Sequence, residues 1–258
     1  MPHADLHVHT TRSDGSLSLE AVPDAARDAG VSVVGVTDHD RLQPFSEPIV
    51  DRDGITFVHG IELRVQAPSG IRVDLLGYAV DPTTALEAAC ERIQRNRRER
   101  GRAIVECVED RLGIDLAVDV ADGFGRPHVA RAIDAHPSTE YDYQGAFDDL
   151  VGNDGPCYVP REIPSFEEGR RLLSDACRIV SLAHPLRYDD PATALELTAD
   201  LDAVERDYPY GGDADYRLVD RAIDRYGLLA TAGSDAHDDR LGLAGLTEPA
   251  FRDLLLDA

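Results

Sequence analysis

Short runs of apolar and β-branched residues recur along the chain, and most of them are bounded by Gly, Pro or Asp. Runs of this length and composition are typical of buried β-strands. The predicted strands are Ala4–Val8, Val31–Thr37, Ile55–Leu63, Ile71–Val80, Arg178–Ala183, Asp202–Glu205 and Leu228–Ala232.

Apolar residues with helical spacing fill most of the intervals between these runs. They predict helices over Leu17–Ala29, Ser165–Cys177, Ala192–Leu201 and Asp213–Tyr226. Alternation of strand and helix favours a parallel α/β sheet or a barrel. We therefore assign residues 1–80 and 165–258 to an α/β body.

The alternation stops between residues 81 and 164, where helical patterns follow one another without a convincing central strand. Helices are predicted here over Thr83–Leu112, His128–Ala135 and Gln144–Val151. The segment is therefore predicted to be a helical insert or cap on the α/β body.

Composition narrows the class of protein. The chain has 258 residues, 43% of them hydrophobic, which is enough for one sizeable core. It has no apolar run of about 18 residues and no charged-then-apolar leader, so neither a membrane span nor a secretory signal is expected. The four cysteines form no C-x-x-C pair, and free buried thiols are expected at Cys90, Cys107, Cys157 and Cys177.

The charge is strongly acidic. A formal net charge of −23 arises from 49 acidic and 26 basic residues, and all of the basic ones are Arg. Such a surface suits high salt, because at about 1 M salt the Debye length falls to roughly 3 Å and like charges repel less. We therefore expect the cytoplasm of a halophile. The charge also argues against duplex DNA as a partner, since duplex binding needs an extended basic surface.

Polar residues collect where the predicted strands end. They are Asp5–His9 at the first strand, Asp38 and His39 after the second, Glu62 in the third, His184 after the fifth and Ser234–His237 after the last. In α/β folds the loops that follow strands carry the chemistry, so these residues would converge on one site in a barrel.

His7 and His9 are two residues apart, so both side chains project from the same face of a strand. Two adjacent imidazoles chelate a divalent transition metal well, although a hydrogen-bonded pair of structural histidines would leave the same pattern. The Asp–His pairs in TDHD at 37–40 and SDAH at 234–237 favour a site with more than one metal ion.

The segments DLHVHTTRSDG, VGVTDHD, GIEL, RPHVA, AHP and GSDAH follow one another in this order. In that combination the chain resembles the PHP (polymerase and histidinol phosphatase) family over essentially its whole length. The resemblance implies a distorted (β/α)7 TIM-like barrel that holds two or three divalent metal ions at the carboxyl ends of its strands.

Carried over by position, the resemblance assigns three ligand sets. These are His7, His9, Glu62 and Asp235 for one metal; Glu62 as a bridge, with His184, for a second; and Asp14, His39 and His237 for a third. Asp74 stands where many relatives have His, and its hard oxygen ligand suits Mn²⁺ or Mg²⁺ better than Zn²⁺. Mn²⁺ is the favoured ion, with Mg²⁺, Zn²⁺ or Fe²⁺ as alternatives.

Clustered dications with open coordination positions serve hydrolysis, and phosphate esters suit them because their oxygens can bridge metals. We predict attack on phosphorus by a metal-bridging hydroxide. The resemblance places Arg126 and His128 of GRPHVA in the substrate pocket, where they would bind phosphate and stabilise the transition state. The structural alternative is an Arg that caps a turn and a His that starts a helix.

The stretch ERIQRNRRERGR at 91–102 is densely positive in an otherwise acidic chain. On a helix, Arg95, Arg98 and Arg102 would share one face. They would either bind a second anion of the substrate or form a solvated face paired with Glu91 and Glu99. A second anion would favour a nucleoside bisphosphate or the 5′ end of an RNA.

Within the family, the chain looks like the stand-alone phosphoesterases that cleave nucleoside 3′,5′-bisphosphates and short 5′-phosphorylated RNA. The predicted partner is thus a small phosphorylated substrate and not a membrane. A histidinol-phosphate phosphatase is the alternative enzyme, and a non-catalytic metal-binding regulatory module is the alternative of another class. Metal-dependent C–N hydrolysis is disfavoured, since such barrels often use a carboxylated Lys and this sequence has no Lys.

Overall fold

The computed structural model describes residues 1–212 and 214–256, and the chain divides into two compact units. The first unit comprises Met1–Cys90 and Ile163–Ala258, and the second comprises Glu91–Glu162. Residue 213, at which the helix predicted over Asp213–Tyr226 would begin, lies outside the described residues.

The strands are β1 (Ala4–Val8), β2 (Val33–Val36), β3 (Ile49–Arg52), β4 (Ile55–Gln66), β5 (Arg72–Tyr78), β6 (Ile179–Leu182), β7 (Ala203–Asp207) and β8 (Leu229–Ala232). The α-helices are α1 (Val22–Ala29), α2 (Thr84–Leu112), α3 (Arg126–Ala135), α4 (Tyr143–Ala146), α5 (Phe166–Ser174), α6 (Pro191–Glu196), α7 (Tyr216–Tyr226) and α8 (Glu248–Leu255). Phe147–Val151 is π-helical, and Pro185–Arg187 and Leu197–Asp200 are 3₁₀ turns.

The sheet of the first unit curls back towards its own first strand. Its strands pair in the order β1-β2-β4-β5-β6-β7-β8, and β3 pairs with β4 from outside this path. Beyond β8, Ala236 forms a parallel bridge with Val8 of β1, and the His9 amide donates to the Ala236 carbonyl at 2.9 Å. The result is a distorted TIM-like barrel, which confirms the fold class expected from the sequence.

The sheet is not parallel throughout, as simple alternation would predict. β5 runs antiparallel to both of its neighbours, β4 and β6. The connection from β4 to β5 spans only residues 67–71, which is too short for the crossover that a parallel pair needs. Because β5 is reversed, its amino-terminal end lies at the edge of the sheet where the neighbouring strands have their carboxyl ends.

The alternation of side chains in β1 explains how this barrel presents polar groups. Leu6 and Val8 are fully buried in apolar clusters that also contain Phe251 of α8 and Val22 of α1, respectively. Since successive strand residues point to opposite faces, Asp5, His7 and His9 project from the other face, towards the barrel interior. The apolar face thus anchors the strand, and the polar face is left for chemistry.

Element boundaries agree with the sequence patterns where the patterns are long. The helix predicted over Thr83–Leu112 is Thr84–Leu112, and the strand predicted over Ala4–Val8 is observed with those bounds. The patterns missed β3, whose four residues are half-buried or exposed and therefore carry little periodicity. They also missed α8, although Thr247 caps it by accepting a hydrogen bond from the Ala250 amide at 3.4 Å.

The second unit is built mainly from helices around its own apolar cluster, which includes Ile104 and Val108 of α2 and Val129 and Ile133 of α3. This unit corrects one expectation about the cysteines. Cys107 and Cys157 form a disulfide with their Cα atoms 5.6 Å apart, whereas Cys90 and Cys177 are free. The two partners are 50 residues apart in sequence, so only the fold of the unit brings them together.

No helix within the described residues is both long enough and apolar enough to cross a membrane.

Candidate metal centre

His7 and His9 lie at the carboxyl end of β1, and both side chains are fully buried. Their Nε2 atoms are 3.1 Å apart. Gly233, just after β8, passes so close to them that a Cβ atom there would lie 2.3 Å from the His7 Cβ. The glycine therefore allows the end of β8 to approach β1, and that approach brings Asp235 to the histidines.

Glu62, on β4, lies at the middle of the histidines. Its Oε2 is 2.7 Å from His39 Nδ1 and 3.3 Å from His9 Nε2, and its Oε1 is 3.1 Å from His184 Nε2. These histidines come from the ends of β1, β2 and β6, so a single carboxylate joins three strand ends. A carboxylate in this position is suited to bridging two cations.

Asp235 is the second acidic group beside the β1 histidines. Its Oδ1 lies 3.1 Å from His9 Nε2 and 3.5 Å from His7 Nε2. Its backbone has a φ of +50°, and that of His184 has a φ of +27°, both in the region that disfavours side chains. Backbone strain of this kind persists only where the surrounding structure holds the residue in place.

Asp14, His39 and His237 form the most exposed part of the cluster. Asp14 Oδ1 is 3.3 Å from His237 Nε2, and Asp14 Oδ2 is 3.7 Å from His39 Nε2. The ring of His9 lies between the two histidines, with centroid distances of 4.6 Å to His39 and 4.3 Å to His237. His9 therefore connects this group to the buried part of the centre.

Asp74 lies near the start of β5, which its reversed direction brings to the same edge. Its Oδ2 is 3.9 Å from His184 Nε2. Both of its carboxylate oxygens also accept hydrogen bonds from Arg64, the residue paired with it on β4. The carboxylate is 1% exposed, so the guanidinium provides its nearest compensating charge.

Three groups of these side chains have ligand atoms within 4.8 Å of one another and could each hold a metal ion. They are His9, Asp14, His39 and His237; His7, His9 and Glu62; and Glu62, Asp74 and His184. These groups contain eight of the nine residues named as ligands from the sequence, and the ninth, Asp235, lies beside His7 and His9.

The charges in the centre are mutually dependent. Burial lowers the pKa of His9, but Asp235 and Glu62 outweigh burial and raise that pKa to about 10. Burial acts in the opposite sense on Asp235, whose pKa is nevertheless held below its usual range by charged His7 and His9. Buried carboxylates need either protonated imidazoles or cations beside them, and imidazole nitrogens with carboxylate oxygens are the donors that Mn²⁺ and Zn²⁺ accept. The residues present therefore fit divalent metal ions.

Glu205 at β7 is a functional residue that sequence analysis missed. It is fully buried; its Oε1 lies 2.9 Å from His7 Nδ1, and its Oε2 accepts from the His184 amide at 2.7 Å. It fixes the ring of His7 and the backbone of His184, as the outer partners of metal ligands commonly do. The sequence signal that could have identified it is its position at the end of the strand predicted over Asp202–Glu205.

Asp5 and Asp38 are buried next to the histidines in sequence, but they accept hydrogen bonds from groups other than the imidazole rings. Asp5 accepts from the backbone amides of His7, Ser234 and Gly242 at 3.3, 2.9 and 2.9 Å. Asp38 accepts from the amide and hydroxyl of Thr10, both at 2.7 Å. These two carboxylates position loops, because the nearest donors to them are backbone and hydroxyl groups.

Arg187 and Tyr208 were also missed. The Arg187 guanidinium lies 2.8 Å from Asp235 Oδ2, and the Tyr208 hydroxyl donates to the same oxygen at 3.0 Å. Asp235 thus has one oxygen towards the histidines and the other towards this pair. Arg187 follows β6 and Tyr208 follows β7, and neither belongs to a motif that sequence analysis could recognise.

The remaining residues named from the sequence belong to the second unit. Arg126 begins α3 and donates from one terminal nitrogen to the Val151 carbonyl at 3.2 Å and to Asn153 Oδ1 at 3.0 Å. His128 Nδ1 accepts from the Gly125 amide at 3.2 Å. On α2, Arg98 forms an ion pair with Asp122, and Arg95 is exposed.

The sequence model of the PHP domain family matches residues 5–149 of this chain. A 3′,5′-nucleoside bisphosphate phosphatase from Chromobacterium violaceum is 30% identical over 253 residues, which cover 92% of this chain and 88% of the relative. A phosphoribosyl 1,2-cyclic phosphate 1,2-diphosphodiesterase from Eggerthella lenta is 29% identical over 249 residues, which cover 90% and 93%. The crystal structure of a Bifidobacterium adolescentis protein, proposed to be a metal-dependent phosphoesterase, is 24% identical and superposes with a TM-score of 0.79 over 98% of this chain and 95% of its own.

Proposed function

The chain belongs to the PHP family and is a metal-dependent phosphoesterase, and from this premise we propose that it hydrolyses a phosphate ester of a nucleotide. The observation that carries the proposal is the convergence of His9, His39 and His184 on the buried carboxylate of Glu62, at 3.3, 2.7 and 3.1 Å. Three strand ends meeting on one carboxylate make a polynuclear centre suited to oxygen-rich substrates.

Two or three divalent ions, with Mn²⁺ favoured, would be held by the nine ligands. When bound, such ions polarise phosphate oxygens and activate water, which is the chemistry predicted from the sequence. The protein's own groups would prepare the site. Glu205 accepts a hydrogen bond from the protonated Nδ1 of His7. This fixes the tautomer in which the unprotonated Nε2 faces the centre. Arg187 and Tyr208 hold the outer oxygen of Asp235 and so fix the direction of the inner one.

The substrate class is supported by the bisphosphate phosphatase of Chromobacterium violaceum, which shares 30% identity with this chain. We propose a nucleoside 3′,5′-bisphosphate or a short 5′-phosphorylated RNA as substrate. The relative from Eggerthella lenta, at 29% identity, favours a ribosyl cyclic phosphate as the second candidate.

Residues 81–164 are proposed to supply substrate-binding groups, as predicted from the sequence. Arg126 and His128 would bind phosphate and stabilise the transition state, with Arg95 and Arg98 as further anion-binding residues. The guanidinium of Arg126 lies 5.8 and 5.7 Å from the ring centroids of Phe147 and Tyr158, which supports a pre-organised side chain.

We further propose that the protein works in molar salt, in the cytoplasm of a halophile. The net charge of −23 supports this, since screening relieves repulsion within such a surface. The midpoint of thermal unfolding should rise as KCl is raised from 0.1 M to about 3 M. A midpoint that falls over this range would contradict the proposal. The Cys107–Cys157 disulfide would have to persist against cytoplasmic thiols, which non-reducing peptide mapping of protein isolated from its host would establish.

The deciding experiment measures phosphate release by the metal-loaded protein in molar KCl with Mn²⁺. The panel contains adenosine 3′,5′-bisphosphate, AMP, a 5′-phosphorylated RNA oligomer, ribose 1,2-cyclic phosphate 5-phosphate and histidinol phosphate, each with an EDTA-treated control; for the cyclic ester, ring opening is also followed by chromatography. Preference for any of the first three compounds supports a nucleotide phosphoesterase. Preference for the cyclic phosphate or for histidinol phosphate would contradict that proposal and identify the preferred compound as the substrate class. Metal binding without turnover of any compound would favour the non-catalytic alternative.

A further inference from the structure

A cavity of about 630 Å³ lies beside the metal centre in the first unit. Its lining includes Leu186 and Arg187 from the turn after β6, and Tyr208, Pro209 and Tyr210 from the segment after β7. Because β6 and β7 are parallel, both segments leave the sheet at the edge where the metal ligands lie. Its volume is within the range of small-molecule sites, which is about 300–1,000 Å³.

Asp235 separates this cavity from the histidines. One of its oxygens lies 3.1 Å from His9, and the other is bonded to Arg187 and Tyr208 at 2.8 and 3.0 Å. The Tyr208 ring also contacts His184 edge-on, with centroids 5.6 Å apart. The alcohol portion of a phosphate ester whose phosphate is bound at the metal centre would therefore find this cavity immediately beside it.

Aromatic rings dominate one wall of the cavity. The rings of Tyr208 and Tyr210 have centroids 4.7 Å apart, and Tyr216 packs edge-on against Tyr210 at 5.7 Å. The Tyr210 hydroxyl accepts from the Leu186 amide at 3.4 Å, and the Tyr208 hydroxyl is held by Asp235. Rings held in this way form a platform on which a planar group can stack.

The charge of the cavity narrows the choice of ligand. The Arg187 side chain is 52% exposed and its guanidinium lies 5.7 Å from the Tyr208 centroid, so it can reach an anionic or planar ligand. A heteroaromatic base can stack on both tyrosine and guanidinium faces.

We propose that this cavity is a nucleoside subsite, in which the base stacks on Tyr210 while the phosphate is bound at the metal centre. The inference rests on the proposed nucleotide phosphoesterase activity and adds the residue that selects the base. The Tyr210 hydroxyl is bonded to the Leu186 amide, whereas that of Tyr208 is bonded to Asp235, so replacement of Tyr210 can separate recognition of the base from the chemistry.

The test compares kcat/KM for adenosine 3′,5′-bisphosphate with that for the base-free 1-deoxyribose 3,5-bisphosphate, using the full metal-loaded chain. We expect the wild type to prefer the base-bearing compound. Tyr210→Ala should reduce this preference by about tenfold through KM, and Tyr210→Phe should retain it. Tyr226→Ala is the matched control, because Tyr226 stacks with Arg225 on α7 and does not line the cavity. Equal preferences in the wild type and Tyr210→Ala would overturn the subsite even if turnover is rapid.

A second measurement keeps the subsite separate from the activity. Adenosine carries no phosphate, so its binding, followed by saturation-transfer NMR, does not depend on hydrolysis. The expected result is a signal that the wild type and Tyr226→Ala share and that Tyr210→Ala loses, with unchanged circular dichroism. If adenosine binds in this way but no phosphate ester is hydrolysed, the proposed function fails and the subsite stands. If adenosine does not bind to the wild type, or binds equally to Tyr210→Ala, the subsite is overturned.

Discussion

Arg64 holds both carboxylate oxygens of Asp74, with its Nε 2.7 Å from one oxygen and a terminal nitrogen bonded to the other. The two residues face each other across the β4–β5 pair. This is the bidentate geometry in which Arg and carboxylate interact most strongly. A cation bound by Glu62, Asp74 and His184 must therefore compete with a guanidinium for Asp74.

Removing that guanidinium should change the number of metal ions bound. We expect the wild type to retain two Mn²⁺ ions per chain after gel filtration and Arg64→Gln to retain a third, because the Asp74 carboxylate then needs another positive charge. Inductively coupled plasma mass spectrometry gives the count. Arg206→Gln is the control, since Arg206 pairs with Asp220 instead. The same metal content in all three proteins would show that Arg64 does not compete.

Glu62→Gln should lose bound Mn²⁺ and bring phosphate release below detection. The substitution removes the charge that His9, His39 and His184 share, and an amide is a poor bridge between cations. Metal content and phosphate release are measured on the same preparation. Glu47→Gln, at an exposed position, should match the wild type in both. Full metal content with normal turnover in Glu62→Gln would contradict the bridging role.

The affinity for Mn²⁺ should rise with pH between 6 and 9. Because Asp235 and Glu62 raise the pKa of His9 to about 10, the metal-free centre holds a proton that the metal must displace. Each displaced proton makes the apparent affinity about tenfold higher per pH unit. Calorimetric titrations in buffers of different ionisation enthalpy count the protons released. An affinity that is constant over this range would contradict the assigned protonation.

The same pKa fixes how the stability of the metal-free protein varies with pH. The pKa of His9 rises from 6.5 to about 10 on folding, so its contribution is complete below pH 6.5 and is lost as the pH rises through about 10. We expect the free energy of unfolding of EDTA-treated protein to fall from pH 7 to 10, measured by urea denaturation. His9→Gln should flatten this dependence, and an unchanged slope in that variant would assign the effect to another group.

Arg126→Ala should lower kcat by about a hundredfold while metal content stays at the wild-type value, since one pre-organised donor to phosphate is lost. Arg126→Lys should recover part of the loss by keeping the charge. Arg111→Ala, at an exposed position near the end of α2, is the control within the same unit. Loss of metal or of the folded state in Arg126→Ala would instead assign Arg126 a structural role.

Non-reducing peptide mapping should recover Cys107 and Cys157 in one linked fragment. Replacing both by Ser should lower the free energy of unfolding by about 2–4 kcal/mol, because the link closes a long loop in the unfolded chain. Cys90 should not react with a thiol reagent in the native state, since burial raises its pKa to about 12. Rapid modification of Cys90 without denaturant would contradict its burial.

The sequence predicts this fold well where its signals are local. The strand with His7 and His9 has the period of two that identifies its faces, and the long periodic pattern of α2 gives its bounds to within one residue. The direction of β5 depends on a short connection between strands and not on the composition of the strand itself. Periodicity alone therefore could not reveal that Asp74 comes to the edge of the sheet by a reversal.

Most of the residues proposed as ligands were accessible to sequence analysis because they lie in motifs at or near the ends of predicted strands, and Asp74 was named by its position in the family resemblance. The residues that hydrogen-bond to these side chains were not accessible, because such contacts depend on distances in the folded chain. Glu205 reaches His7 across 198 positions of sequence, and Arg64 is distinguished from any other strand Arg only by its pairing with Asp74. Tyr208 and Tyr210 likewise acquire a role only because β6 and β7 are neighbours.

The β4–β5 hairpin carries Glu62, Arg64 and Asp74 in a single pair of strands. The other ligands come from β1, β2, β6 and β8 or the loops after them, and their spacing depends on closure of the whole barrel. Substitutions within one hairpin could therefore alter how many metal ions the enzyme carries, while the surrounding strand ends stay as they are. Evolution could adjust the metal requirement of this scaffold locally, without rebuilding the rest of the catalytic architecture.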